Sequence, residues 1–207
     1  MLNIFHVPNT RSFRVIWLCE ELALPYKLTA VDFSAAYRES PEWRALNPVG
    51  KVPVMIDGEL IMFESGAMVQ YLLDRYGDGA LQPICGTPEH AHYLQWSWFA
   101  EATYSRPIGE VVNHRRAFGD AAKPDVMQEM SGRAALASQA VNDALTGQPY
   151  LLGNEFSAAD IMMGYTVMLV AQVLKQTLPE SLAHYWASLQ GRAAFIAAKA
   201  AERAMAK

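Results

Sequence analysis

The segment from Asn47 to Ser65 limits the possible folds more than any other part of the sequence. Two short apolar runs, Val54 to Ile56 and Leu60 to Phe63, are joined across Asp57-Gly58, a dipeptide that suits the positive φ angles of a tight hairpin turn. Pro53 comes directly before the first run, and a proline supplies no N–H group to a sheet. The pattern predicts a β-hairpin whose first strand begins at this proline, lies on an edge, or follows a cis bond.

A helix is predicted directly after the hairpin. Glu64-Ser65-Gly66 precedes an apolar-periodic run that ends at Tyr76, and we expect Ser65 to cap the helix. The open N–H groups and the positive dipole end of such a helix favour an anion. If the Val52–Pro53 bond is cis, Val52 turns outward and its main-chain N–H and C=O groups are open to an extended ligand. The segment thus combines three features of a binding site: the cation Lys51, an open main-chain edge at Val52 and a helix N-terminus that favours an anion.

The first 77 residues are predicted to form an α/β domain. The order strand, helix, strand implies a parallel pair with a right-handed crossover, and the hairpin and its helix complete a βαβ–ββα unit. This is the thioredoxin-like arrangement, with its strand order left open. The predicted elements before the hairpin are a strand over Leu2–Val7, a helix from Phe13 to near Pro25 and a strand over Tyr26–Val31. A polar, irregular stretch follows over Ser34–Leu46, in which Ser40-Pro41-Glu42 suits the start of a short helix.

The rest of the chain is predicted to be helical. Residues 78–88 are rich in Gly and Pro and are interpreted as a linker, and residues 89–207 carry only helical patterns, which indicates an all-α domain. Ala159 to Leu174 is almost wholly apolar and predicts a buried central helix. Ser157 stands three residues before Asp160 at the start of this helix, a capping-box pattern with a role in folding.

Composition excludes several classes of protein. With 52% hydrophobic and 18% charged residues among 207, the chain is typical of a globular protein. A net charge of −4 argues against a nucleic-acid partner, and the absence of a long apolar run argues against a membrane span. Cys19 and Cys85 form no CxxC pair, which excludes a thioredoxin-type redox pair and a cysteine zinc site. We expect no metal and a cytoplasmic location, since no signal peptide is visible.

Together these motifs resemble the cytosolic glutathione transferase family over essentially the full length of the chain. The resemblance is carried by NPVGKVPV, DG and FESGAMVQYL in that order, and by the Ser-x-x-Asp box in the second half. The run PNTRSFRVIWLCEEL most resembles the bacterial and fungal subgroup with a TRS-x-R-V-x-WLxEEL signature. The resemblance implies a thioredoxin-like domain, a helical domain and a homodimer.

The resemblance also implies roles in binding glutathione. Glu64 would take the ammonium group, and Ser65 with its N–H group would take the γ-glutamyl carboxylate. Val52, exposed by a cis bond to Pro53, would pair with the cysteinyl main chain. Lys51 would take the glycine carboxylate, and Arg11 adds a cation in the loop after the first strand. For Lys51 alone, a solvated surface lysine is the alternative.

The group that activates the thiol is left open by the sequence. The family uses Tyr, Ser or Cys at or just after the end of the first strand, and this chain has neither Tyr nor Cys there. The candidates are Ser12, Thr10 and Asn9, with His6 at the strand end. An N-cap of the first helix is an equally good interpretation of Ser12.

The predicted reaction is attack of the glutathione thiolate on a small hydrophobic electrophile. The electrophile would lie between the loop and the helix that begins at Glu89, and Tyr104, Trp98 and Phe99 are candidates to line its pocket. Aromatic residues at this helical spacing also suit a core. Two alternatives are a glutathione-dependent disulfide-bond reductase and a non-catalytic protein that binds glutathione or another ligand.

Overall fold

The structure is a computed structural model that describes residues 1–205 of the chain. Residues 1–80 and residues 191–205 form one compact unit, and residues 81–190 form the other. The first unit contains a four-stranded mixed sheet with helices, and the second is helical. This confirms the predicted combination of a thioredoxin-like α/β fold and an all-helical region.

The sheet of the first unit has the strand order β2-β1-β3-β4. β1 (Leu2–His6) pairs in parallel with β2 (Tyr26–Ala30), as the βαβ order predicts. β3 (Val54–Asp57) is antiparallel to β1 and to β4 (Leu60–Phe63). The sheet therefore joins a parallel βαβ half to an antiparallel hairpin.

The hairpin turn lies one residue later than predicted. Asp57 is still in β3 and pairs with Leu60, so the two turn residues are Gly58 and Glu59. Gly58 has a φ of 61°, a conformation that costs little without a Cβ atom. The Asp57 carboxylate accepts hydrogen bonds from the hydroxyls of Tyr71 and Tyr76.

Helices cover the sheet of the first unit. α1 (Ser12–Glu21) is buried from Ser12 to Cys19, because its apolar residues face both the sheet and other helices. The polar stretch contains two short helices that serine side chains cap; the one that starts at Pro41 was predicted, and the one before it was not. These are α2 (Ala35–Glu39) and α3 (Pro41–Leu46), and α4 (Ser65–Tyr76) follows the hairpin.

The C-terminal helix, α10 (Ala193–Met205), packs on α1. Just before it, the Arg192 guanidinium donates two hydrogen bonds of 2.7 Å to the Glu21 carboxylate. The Phe195 ring meets the Trp17 ring edge-on at 4.9 Å between centroids. By packing, this helix groups with the first unit, whereas the sequence pattern predicts one helical domain over residues 89–207.

Five helices build the second unit, two of which run into π-helical turns. The first turn, Phe99–Tyr104, ends three residues before Pro107, which has no N–H group to continue the α-helical ladder. The elements are α5 (Pro88–Trp98), α6 (Ser105–Phe118), a 3₁₀ turn (Gly119–Ala121), α7 (Pro124–Ala144), α8 (Ala158–Leu169), a second π turn (Val170–Leu174) and α9 (Glu180–Gln190).

The capping box is confirmed, and the predicted buried helix is confirmed as far as Leu169; the predicted end, up to Leu174, is a π turn in which only Val170 is buried. All residues of α8 from Ala158 to Met168 are buried. The Asp160 carboxylate accepts hydrogen bonds from the Ser157 N–H group at 2.8 Å and from the Leu151 N–H group at 3.1 Å. The hydroxyls of Ser157 and Tyr185 donate two more, at 3.1 and 2.9 Å. Burial nevertheless raises the pKa of the Asp160 carboxyl, although these hydrogen bonds favour its charged form.

Within residues 1–205, no helix combines the length and the apolar content that spanning a membrane requires.

Candidate functional site

Three segments leave the sheet of the first unit at the same edge. Phe5 lies opposite Val54 in the antiparallel pair of β1 and β3, so the end of β1 lies beside the start of β3. Val54 also pairs with Phe63, the last residue of β4. The loop after β1, the proline before β3 and the residues before α4 therefore come together, although they are up to 60 residues apart in sequence.

The segment before β3 presents an exposed cation next to a cis proline. The Val52–Pro53 bond is cis, which agrees with the resemblance, and Pro53 is buried while Lys51 is exposed. Asn47 holds this segment from inside: its amide group donates to the Lys51 carbonyl at 2.8 Å, and its amide oxygen accepts from the Val49 N–H group at 3.1 Å. The sequence pattern gave Asn47 no such role.

The start of α4 differs from the prediction. Glu64, and not Ser65, is the N-cap residue; its φ is 77°, and its side chain makes no hydrogen bond to the helix. A positive φ is uncommon for glutamate and is often found at functional sites. Ser65 is the first helical residue and is buried, and its Oγ atom accepts a hydrogen bond of 3.2 Å from the buried Arg14 guanidinium. The exposed Glu64 side chain and the N-terminal end of α4 thus lie together.

The loop after β1 brings the predicted hydroxyls together. Asn9 is exposed and has a φ of 62°, and the Thr10 hydroxyl donates to the Val7 carbonyl at 2.7 Å. Ser12 is fully buried, and its Oγ atom lies 2.8 Å from Thr10 Oγ1 and 2.7 Å from His6 Nδ1. Arg11, half-buried, is the N-cap residue of α1, so the interpretation of Ser12 as this cap is wrong.

The far end of the chain reaches this loop. Glu202 of α10 is buried, and its Oε1 atom accepts a 2.8 Å hydrogen bond from the Asn9 N–H group and lies 3.6 Å from His6 Nε2. Its Oε2 atom accepts a hydrogen bond from Lys199. Burial lowers the pKa of His6, Glu202 acts to raise it, and Lys199 lowers it further. Sequence reasoning missed Glu202, because its position in an amphipathic helix carries no signal of this contact.

The three predicted aromatic residues have different environments in the second unit. Tyr104 is fully buried and its hydroxyl lies 2.6 Å from Ser138 Oγ, a position in the core that raises its pKa to about 12. Trp98 is 66% exposed. Phe99 lines a surface groove of about 490 Å³ between the first π turn, α6 and α7, together with residues that include Arg106 and Leu136.

Comparison with known proteins agrees with this geometry. A family model described as "Glutathione S-transferase, N-terminal domain" matches residues 2–74. Glutathione S-transferase hmp2 of Hypomyces subiculosus is 30% identical over 158 residues, which cover 72% of this chain and 73% of the relative. The chain belongs to the glutathione S-transferase family.

Two other proteins, one of them a solved structure, are similar to most of this chain. The disulfide-bond oxidoreductase YfcG of Escherichia coli strain K12 is 29% identical, with 78% of this chain and 76% of the relative covered. A theta class glutathione S-transferase from Xanthomonas axonopodis pv. citri, solved with glutathione bound, superposes with a TM-score of 0.81. It is 26% identical, with 95% of this chain and 96% of that chain covered. All three converging segments lie within the residues that the family model matches.

Proposed function

We propose that this protein binds glutathione at the sheet edge and transfers its thiolate to a small hydrophobic electrophile. The observation that carries the proposal is the convergence of an exposed lysine, a main-chain edge beside a cis proline, and a helix N-terminus beside an exposed glutamate. Glutathione offers the complementary groups in one extended molecule: two carboxylates, one ammonium group and a main chain between them.

Each end of the ligand is assigned to one part of this edge. Lys51 pairs with the glycine carboxylate, and the Val52 main chain next to Pro53 pairs with the cysteinyl residue. Glu64 accepts the ammonium group, while the N-terminal N–H groups of α4, including that of Ser65, hold the γ-glutamyl carboxylate. The buried Ser65 hydroxyl acts on this site by fixing Arg14, with which it is hydrogen-bonded.

Thiol activation is assigned to the loop after β1. Thr10 and Asn9 are the accessible candidates to donate a hydrogen bond to the sulfur, with Arg11 as a nearby positive charge. Ser12 is fully buried, so it acts through Thr10 and not by direct contact with the thiol. A hydroxyl or amide donor stabilises the thiolate and so lowers the pKa of the thiol from about 8.5.

The remaining parts of the proposal follow from the family. Phe99 and Trp98 are proposed to contact the electrophile, with Tyr104 supporting them from the core. We further propose a cytoplasmic homodimer and membership of the subgroup with the TRS-x-R-V-x-WLxEEL signature. Along the sequence, we propose a glutathione-binding part over residues 1–77, a linker at 78–88 and a helical part over 89–207, whose last helix packs with the first unit.

The second candidate function is reduction of glutathione mixed disulfides. Two observations favour it: the loop has Asn9 and Thr10 where other family members have Tyr or Cys, and one of the relatives is named a disulfide-bond oxidoreductase. The protein's own Cys19 is unsuited to this chemistry, because burial raises its pKa to about 12. Cys85 is exposed but lies outside the three converging segments, so the proposed reductant is glutathione itself.

Steady-state turnover distinguishes the candidates. The protein is assayed with glutathione and either 1-chloro-2,4-dinitrobenzene or a mixed disulfide of glutathione, and kcat/KM is compared between the two substrates. We expect the higher value with the aromatic electrophile. A higher value with the mixed disulfide would favour the reductase, and glutathione binding without turnover of either substrate would favour a binding protein.

A further inference from the structure

The loop after β1 contains a tight turn with Pro8 and Asn9 at its two central positions. The Thr10 N–H group closes this turn by donating to the Val7 carbonyl at 3.3 Å. The proline ring fixes the φ of Pro8 at about −65°, whereas the φ of Asn9 is 62°. A negative φ followed by a positive φ defines a type II turn.

The peptide group between Pro8 and Asn9 can take two orientations in a closed turn of this kind. Type I and type II turns share the hydrogen bond from Thr10 to Val7, and they differ by roughly half a rotation of the central peptide group. In the type I turn the φ of Asn9 would be about −90°, which needs no left-handed backbone. The surroundings of the peptide group therefore decide between the two orientations.

A carboxylate from the last helix contacts this peptide group. Glu202 of α10 is buried, and its Oε1 atom accepts a 2.8 Å hydrogen bond from the Asn9 N–H group. Lys199 donates to the Oε2 atom and so holds the carboxylate in place. If the peptide group turned over, the Pro8 carbonyl would face the carboxylate, and a hydrogen bond would be replaced by repulsion between two oxygen atoms. Glu202 therefore stabilises the type II orientation.

The orientation of the peptide group also decides where the Asn9 side chain points, because its Cβ atom moves with φ. Asn9 is exposed at the candidate activating loop. The Thr10 hydroxyl has one hydrogen and donates it to the Val7 carbonyl at 2.7 Å, and Ser12 is fully buried. Asn9 is thus the candidate donor whose approach to the thiol depends on the turn.

We propose that Glu202 is a positioning residue for thiol activation, which holds the Pro8–Asn9 peptide group in the type II orientation and so directs the Asn9 side-chain amide at the sulfur. The proposal rests on the proposed function, in which Asn9 is a candidate donor to the sulfur. Glu202 acts only through Asn9, and no bond to it forms or breaks. Without its carboxylate the loop divides between two conformations, and only one of them stabilises the thiolate.

Two double variants isolate the hydrogen bond to Asn9. Lys199→Met is combined with Glu202→Gln or with Glu202→Leu, so the net charge stays unchanged, and only glutamine keeps an oxygen for the Asn9 N–H group. The pKa of the bound thiol is measured from the pH dependence of thiolate absorbance. With leucine we expect a roughly tenfold smaller thiolate fraction at neutral pH and a Kd for glutathione within about threefold of that of the unmodified protein. With glutamine both quantities should stay within about twofold.

The turn itself is measured by NMR. In a type II turn the Hα atom of Pro8 lies close to the amide proton of Asn9, and in a type I turn it lies farther away. We expect a strong nuclear Overhauser effect between these protons in the unmodified protein and in the glutamine variant, and a weaker one in the leucine variant. Equal effects in all three proteins would show that Glu202 does not select the turn.

Glu21→Gln is the matched control. Glu21 is another poorly exposed carboxylate of the same unit, and it pairs with Arg192 just before α10. The variant should lower the free energy of unfolding, yet leave the thiol pKa and the Overhauser effect unchanged. A raised thiol pKa in Glu21→Gln would assign the effect to looser packing of α10 and overturn the positioning role.

The positioning role and the proposed function fail in different ways. If the leucine variant binds glutathione and keeps the thiolate fraction of the unmodified protein, Glu202 does not position the donor. If the unmodified protein does not bind glutathione, the proposed function itself is wrong. Should the leucine variant fail to fold, Glu202→Asp replaces it, because the shorter side chain withdraws the carboxylate from the Asn9 N–H group. The same loss of thiolate is expected there, and an unchanged fraction would overturn the proposal.

Discussion

The helix starts of α4 and α8 differ in how their N-terminal groups are satisfied. At α8, Asp160 closes the end with its own carboxylate, which is fully buried and accepts hydrogen bonds from four donors. At α4, the N-cap residue Glu64 has a positive φ and makes no side-chain hydrogen bond to the helix. An end closed by the chain stabilises the fold, whereas an end left open is available to an anion.

The surroundings of the two helix N-termini agree with a structural role for the α8 end and a binding role for the α4 end. The α8 end is surrounded by hydroxyl and N–H donors in the core of the second unit. The α4 end lies at the sheet edge of the first unit, where Lys51 and Glu64 are both exposed. Substitutions at the closed end should therefore change stability alone, and substitutions at the open end should change binding alone.

The largest effect is expected for Asp160→Ala. The substitution leaves two buried N–H groups, of Ser157 and Leu151, without their acceptor, which should lower the free energy of unfolding by about 3 kcal/mol. Urea denaturation measures it. Asp125→Ala, in the exposed first turn of α7, is the matched control and should cost about 0.5 kcal/mol. Equal losses in the two variants would mean that the capping box has no special role.

A smaller effect, on binding and not on stability, is expected for Glu64→Gln. Loss of the carboxylate removes the partner of the ligand's ammonium group and should weaken glutathione binding by about tenfold, or about 1.4 kcal/mol. The free energy of unfolding should change by no more than about 0.5 kcal/mol, because the side chain is exposed. Glu59→Gln in the hairpin turn is the control for an exposed glutamate. A large loss of stability in Glu64→Gln would show that the α4 end is structural too.

The smallest expected effect is a dependence of stability on pH, which originates at His6 in the same unit as α4. The pKa of His6 is lowered in the folded protein by burial, so the unfolded chain binds a proton at higher pH than the folded protein does. Stability should therefore fall as the pH drops below about 6.5, by at most about 1.4 kcal/mol per pH unit. Urea denaturation at pH 7.5 and at pH 5.5 measures this loss. It should be smaller in His6→Asn, and an identical loss in that variant would assign the dependence to other groups.

Structural features that depend on residues close together in the sequence could be predicted. The hairpin and the capping box at Ser157 and Asp160 are encoded within a few positions. The proximity of Lys51, Val52 and Glu64 could be predicted for the same reason, since all three flank one hairpin, and their role in binding is a proposal. The cis bond before Pro53 was one of three alternatives that the local sequence leaves open, and only the family resemblance favoured it. The strand order β2-β1-β3-β4 is not predictable in this way, because it depends on pairing between residues that are far apart in the sequence.

The errors have physical causes. Ser65 has the residue type of a cap, and only the unusual backbone conformation of Glu64 moves the helix start by one residue. Tyr104 has a spacing that suits a pocket wall and a core equally, and burial decides for the core. Glu202 could not be connected with His6 and Asn9 from the sequence. It is 193 positions away from Asn9, whose N–H group donates to its carboxylate.

Calorimetric titration with glutathione tests the central claim, that the open end of α4 and the lysine beside the cis proline form the binding site. The variant that combines Lys51→Gln and Glu64→Gln is compared with one that combines Lys27→Gln and Glu59→Gln, which are exposed in the same unit. We expect the first variant to bind about 100-fold more weakly than the unmodified protein, and the second to bind equally well. Equal dissociation constants for the two variants would contradict the account.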